Sequence, residues 1–301
     1  MEVKPNFFIL GFPKCGTTLI RTIFYQHPEI FMSVPEEPGY FDREFRFINE
    51  NQWQYKNVEE YENIYSKADK SKVKAIGEGS VYQIYSPKYI EEILDHYPDA
   101  KFLVCIRNPI KAAVSMHGEN LKPSKIGRDP LLNFEDAWKK GDERTIDKTI
   151  SGVPGIKFNY EFLYNYYNII HPSEDLLKGR TLYVKFEELI SNPEDEFEKI
   201  FEFLNVNQNF EIKISHVNKA KQARKDIFSR ITWYTINKIK FLPIFKNLRG
   251  RGFTNNKFFM KPLKKAEISE NFRKELEEAL LGNIKQLEKM TDLNLKDWYA
   301  N

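Results

Sequence analysis

Apolar positions along the chain fall into short continuous runs that alternate with stretches of helical spacing. Asn6–Gly11 (NFFILG) is an apolar run closed by glycine, the pattern of a strand buried on both faces. Thr17–His27 follows with Leu19, Ile20, Ile23 and Phe24 on one helical face, and Pro28 stops it. Ala75–Tyr82 and Lys101–Ile106 (KFLVCI) read as further strands. Between them Ser86–Tyr97 reads as a helix, with Pro87 in its first turn and Pro98 just past its end. Pro109–Asn120 is the next helix, Arg180–Phe186 (RTLYVKF) a fourth strand, and Pro193–Leu204 and Glu267–Met290 are helices. Strands alternating with helices predict an α/β fold, a central mostly parallel sheet flanked by helices with a helical C-terminal part. No repeat or Gly/Ser linker interrupts the pattern, so residues 1–301 read as one domain.

Composition narrows the class. At 301 residues with 41% hydrophobic and 15% aromatic side chains, the chain is long and apolar enough for a substantial core, which excludes intrinsic disorder. No run approaches the ~18 apolar residues that span a bilayer. The opening MEVKPNFFILGF lacks a secretory apolar core and cleavage site, so a cytoplasmic chain is expected. Cys15 and Cys105 are too few for a disulfide framework or a zinc site. The net charge of +3 hides an asymmetry: Lys219–Lys265 carries 14 Lys+Arg against the single acid Asp226, while the remainder is net acidic. Such a segment is suited to meeting an anion or to forming a solvated helical face.

The candidate chemistry begins at the first strand–helix junction. Gly11-Phe-Pro-Lys14-Cys15-Gly16-Thr17-Thr18 has the shape of a phosphate-binding loop with one departure. Thr17 stands where such a loop carries lysine, and the lysine sits three residues earlier as Lys14. Backbone N–H groups at a helix start, the helix dipole and two hydroxyls all favour an anion. A nucleotide-hydrolysing loop also needs a neighbouring strand that ends in an acid to hold Mg²⁺. The KFLVCI strand instead ends in Arg107-Asn108-Pro109, which points to an anionic ligand bound without a metal.

GFPKCGTT resembles the 5′-phosphosulfate loop of sulfotransferases that use 3′-phosphoadenosine-5′-phosphosulfate (PAPS). Arg107-Asn-Pro with Ser115 eight residues after the arginine is similar to that family's 3′-phosphate motif. Tyr183–Pro193 followed by Ile200–Leu204, and the closing Asp292–Trp298, resemble further segments of the family, so the likeness runs along nearly the whole chain. The resemblance implies a P-loop-NTPase-like sulfotransferase fold and a PAPS donor that leaves as adenosine 3′,5′-bisphosphate (PAP), with no metal. It implies contacts to that nucleotide from Lys14, Cys15, Gly16, Thr17, Thr18, Arg107 and Ser115, with Lys14 stabilising the leaving phosphate. Arg249, Gly250 and Arg251 are similar to the family's basic C-terminal loop over the 3′-phosphate.

Val34-Pro-Glu-Glu37-Pro-Gly39-Tyr-Phe-Asp42 resembles the "K-E-x-H-F-F-D" element of heparan-type and many bacterial sulfotransferases, whose glutamate is the general base. On that match Glu37 is the base, Glu36 replaces a lysine and Gly39 a histidine. Gly77-Glu78-Gly79-Ser80 resembles a strand in which Gly79 replaces a lysine that often touches polymeric acceptors. A glutamate works as a base only when desolvated or set among other acids, a role open to Glu36 and Glu78. His117, two residues after Ser115, is the alternative base. The implied acceptor is a hydroxyl, or less readily an amine, of a glycan or small metabolite. Residues 227–245, apolar and aromatic with interleaved cations, suit either a cover over the acceptor cleft or a membrane-surface contact. An Mg²⁺-dependent nucleotide kinase and a noncatalytic nucleotide- or polyanion-binding module are the alternatives. No nucleic-acid partner is expected, since no motif of a known reader is present.

Overall fold

The computed structural model describes residues 3–46, 49–122, 127–213, 221–223, 260–262 and 268–299. Most of the basic segment, including 227–245 and Arg249, Gly250 and Arg251, lies outside the described residues.

Five parallel strands form the central sheet: β1 (Phe7–Gly11), β2 (Ile30–Met32), β3 (Ala75–Glu78), β4 (Lys101–Ile106) and β5 (Thr181–Lys185), in the order β2-β3-β1-β4-β5. β1 runs through the middle, in register with β4 from Phe7↔Lys101 to Gly11↔Cys105. Its five residues are all buried, as an apolar run of this length requires of a central parallel strand. Successive side chains leave opposite faces. Phe7 meets Phe24 of α1 (Thr17–Phe24) edge-on at 5.6 Å, and Phe24 in turn lies 6.5 Å from Phe201 of α5 (Pro193–Phe203). Phe8 turns the other way, to Phe41 and to Tyr97 at the end of α2 (Pro87–His96). The result is a helix–sheet–helix sandwich. Among the described residues no helix is long and apolar enough to cross a membrane.

The sequence pattern located four strands but not β2, whose three residues are too short to show periodicity. It also ran the third strand too far. β3 ends at Glu78, and a 3₁₀ turn over Val81–Tyr85 replaces its expected continuation. There the Ser80 hydroxyl accepts from the Gly39 N–H at 3.1 Å, tying the loop that carries Gly39 to the end of the strand. The long helix α6 (Glu270–Thr291) packs on the helix Tyr166–Ile170, where the Tyr167 N–H donates to Asn283 at 3.2 Å. Beyond it Lys185, buried at the end of β5, donates to the Asp297 carboxylate at 2.6 Å and to the Asn294 carbonyl at 2.9 Å. Trp298 then packs 6.2 Å from Tyr166, whose ring lies 4.3 Å from Phe12 of the first loop. The closing segment is thus a prop beneath that loop.

Candidate functional site

In a parallel sheet the crevice beyond the carboxyl ends of adjacent strands is where helix starts and loops converge. Here β1 and β4 end side by side, and each hands its chain to a helix. After β1 the loop turns through Lys14, at φ 71, and Gly16, at φ 96, so that α1 starts at Thr17 with no side chain capping it. Positive φ is costly for a residue with a Cβ, and at Lys14 the surroundings hold it. The Arg107 guanidinium donates to the Lys14 carbonyl at 3.1 Å, and the Tyr164 hydroxyl donates to the Pro13 carbonyl at 2.9 Å. The Cys15 side chain points inward, 3.6 Å from the Tyr166 hydroxyl, and burial pushes its thiol up to about 12. Cys105, opposite Gly11 on β4, is buried and unpaired as well. Cys15 therefore offers a ligand only its backbone, and its N–H already donates to Phe12.

After β4, Asn108 caps the helix α3 (Pro109–Asn120) by accepting from the Lys111 N–H at 3.0 Å, with Pro109 at the first helical position. Arg107 is left at the strand end, its guanidinium 4.4 Å above the Phe186 ring and its Nε buried without a partner among the described residues. An orphaned arginine N–H is a costly thing to bury, and an anion in the crevice would satisfy it. Ser115 is half-buried on α3, and one turn further Glu119 lies 3.4 Å from the Lys14 ammonium and 2.6 Å from that of Lys122. The strand ends so bring Lys14 beside Arg107 and beside Glu119, one turn beyond Ser115 on α3, with Gly16, Thr17 and Thr18 next in the chain at the start of α1. Phe186, which opens α4 (Phe186–Ser191), underlies both Gly16 and Arg107.

Glu37 meets α1 at Arg21. Its carboxylate lies 3.6 Å from Arg21, one turn beyond Thr17 and Thr18, and 3.1 Å from Arg46. Two arginines flank it, each shared with a second acid: Arg21 with Glu36 and Arg46 with Asp42. Glu36 is exposed and lies 3.4 Å from Arg21. Glu78 is sealed in the core, where burial pushes its carboxyl up to about 8 despite the hydrogen bond donated by Gln83. His117 is fully buried, packed between Phe134 and Tyr160, and hydrogen-bonds the Leu131 carbonyl through Nε2 at 2.9 Å. Burial lowers its basicity. Among the described residues no group of three or more His, Cys, Asp or Glu side chains gathers to hold a metal ion.

The model of the sulfotransferase family matches residues 5–210, more than half of the chain and all of the loops just described. The chain belongs to the sulfotransferase family. Among curated proteins it is 25% identical over 130 residues to the membrane-associated sulfotransferase kil1 of Dictyostelium discoideum, covering 43% of this chain and 26% of that protein. It is 23% identical over 226 residues to heparan sulfate glucosamine 3-O-sulfotransferase 3B1 of Mus musculus, covering 72% of this chain and 50% of the relative. The chain thus spans half or less of the length of these sulfotransferase relatives. Its fold is similar to that of a sulfotransferase from Alicyclobacillus acidocaldarius, with a TM-score of 0.71 and 22% identity over 98% of this chain and 99% of the other.

Proposed function

We propose that this sulfotransferase moves the sulfuryl group of PAPS to a hydroxyl, or less readily an amine, of a sugar or other small metabolite. What supports the reading is the junction of Lys14, Arg107 and α3, where a cation, a helix start and a buried arginine N–H with no partner among the described residues come together. The donor nucleotide supplies the sulfuryl group and a bisphosphate leaving group. The chain's own residues do the rest. The N–H groups at the start of α1 and the hydroxyls of Thr17 and Thr18 receive the 5′ end, while Arg107 and Ser115 hold the 3′-phosphate. Lys14 exchanges its contact with Glu119 for the charge that develops on the departing oxygen. Glu37, a third exposed and within reach of α1, removes the acceptor's proton. His117 stays in the core. The match to relatives named for heparan sulfate glucosamine makes a glycan hydroxyl the first acceptor class to assay.

The test is transfer of label from ³⁵S-PAPS to a panel of sugars, alcohols, phenols and amines, beside calorimetry with PAP. Binding of PAP and transfer to at least one acceptor are expected. Lys14→Ala should lower kcat by about 10²- to 10³-fold with the fold intact, since removal of one preorganised donor has that effect. Glu37→Gln should lower kcat on the order of 10²-fold while PAP affinity survives. No heat with PAP would overturn the reading.

A further inference from the structure

Glu37 is held by two arginines that the family motifs do not contain, and each enters through a gap left by a glycine. Arg46 reaches Glu37 from the short helix Arg43–Arg46, with Nη1 3.1 Å from Oε2. Its Nε donates to the fully buried Asp42 carboxylate at 2.6 Å, and its guanidinium lies over the Tyr82 ring at 5.3 Å. Its Nη2 is buried without a partner among the described residues. The stem of Arg46 fills the place where a side chain at residue 39 would begin. A Cβ on Gly39, whose φ is +69, would lie 2.7 Å from Arg46 Cδ and 2.8 Å from Nε.

Arg21 repeats the arrangement from α1. It is 5% exposed, donates to the carbonyls of Glu36 at 3.2 Å and Gly79 at 3.3 Å, and lies 3.6 Å from Glu37 Oε1. A Cβ on Gly79 would press on it, 3.0 Å from Cδ and 3.2 Å from Nη1. Of the three positions where this sequence departs from the heparan-type pattern by losing a histidine or a lysine, Glu36, Gly39 and Gly79, two are glycines. The structure supplies a cation at each from elsewhere in the chain.

We infer that Arg21 and Arg46 are positioning residues for Glu37, a guanidinium clamp that fixes the carboxylate beside the start of α1 and that the glycines at 39 and 79 make room for. The inference rests on the sulfuryl-transfer reading. Each carboxylate oxygen faces one guanidinium from a different element, so the carboxylate plane is fixed along two directions. Asp42 holds Arg46 by its other edge, and two backbone carbonyls hold Arg21. Neither arginine needs to touch the donor or the acceptor to act.

The experiment uses the full chain, with Arg46→Gln and Gly79→Ala as the principal variants and Arg46→Lys as the conservative one. Gly79→Ala keeps both arginines and displaces only Arg21, so it tests the clamp without deleting a charge. The Glu37 side-chain carboxyl is followed by ¹³C NMR, assigned by its loss in Glu37→Gln. Its resonance is expected to move in Arg46→Gln and Gly79→Ala, and kcat to fall 10- to 100-fold, as misplacement of about 1 Å entails. Acceptor KM and PAP affinity should change less than about twofold, and Arg46→Lys should recover part of kcat. Undiminished kcat in both principal variants, or an unmoved Glu37 resonance, would overturn the clamp alone. Wild-type chain that transfers to no acceptor, with the Glu37 resonance still moving in the variants, would instead overturn the functional reading and leave the clamp without its catalytic meaning.

Discussion

Gly16 carries two constraints that a single substitution violates together. At φ +96 it starts α1 in a conformation that disfavours a side chain, and an ideal Cβ would lie 2.6 Å from Phe186 Cδ2 and 3.2 Å from Cε2. Gly16→Ala therefore costs about 1–2 kcal/mol of backbone strain and about 1–3 kcal/mol for driving the ring aside. The sum, about 2–5 kcal/mol, is a large part of the ~5–15 kcal/mol that a domain has to lose. The ring's displacement reaches the site as well, because Arg107 rests on Phe186 at 4.4 Å. Urea unfolding of the wild type, Gly16→Ala, Phe186→Ala and the double variant measures the two parts separately. In the double variant only the backbone strain remains, so the two substitutions should couple favourably by about 1–3 kcal/mol. Calorimetry should show Gly16→Ala losing PAP affinity beyond its effect on stability. Additivity within about 0.5 kcal/mol, or an alanine variant as stable as the wild type, would refute the packing argument.

Glu78 predicts a pH dependence of stability whose sign follows from its burial. Its folded pKa of about 8 lies above the ordinary glutamate value of 4.5, so its contribution is complete below that value and is lost as pH rises through the folded one. Between the two the native chain holds a proton that the unfolded chain releases, and stability falls by about 1.4 kcal/mol per pH unit from this group. Glu78→Gln keeps an oxygen acceptor for Gln83 and should flatten that slope, so urea midpoints of variant and wild type should diverge in the variant's favour from pH 5.5 to 8. Asp297→Asn should cost about 1–2 kcal/mol by leaving the buried Lys185 ammonium with weaker partners, moderated by the half-exposure of Asp297. Limited proteolysis should then cut near Asn294 faster than in the wild type.

The phosphate-type loop and the arginine after KFLVCI were legible because each occupies consecutive residues whose spacing alone places them at a strand end and a helix start. Adjacency of β1 and β4 turned the two motifs into one crevice, and the order β2-β3-β1-β4-β5 is not written in any local pattern. That order also gives β1 a second neighbour, β3, which ends in the acid Glu78. From the sequence, only the strand ending at Arg107 stands out as the neighbour of β1. Phe186 lay in a recognised segment, yet its contact with Gly16 joins positions 170 residues apart and no periodicity encodes it. Arg21 and Arg46 were hidden for a similar reason. On helical spacing they are ordinary surface cations, and only the gaps at Gly79 and Gly39 bring them inward. A glycine where a family motif carries a histidine or a lysine was the available signal.

The two thiols give the molecule a practical property. Cys15 and Cys105 are the chain's only cysteines, both buried, and burial raises both out of the range where thiolate forms at neutral pH. Maleimides and iodoacetamides should pass the native chain by, even though one cysteine sits inside the loop between β1 and α1. A cysteine introduced at exposed Lys111, on the helix that follows Arg107, would then be the sole point of dye attachment, and fluorescence could follow ligand binding with the native thiols left in place.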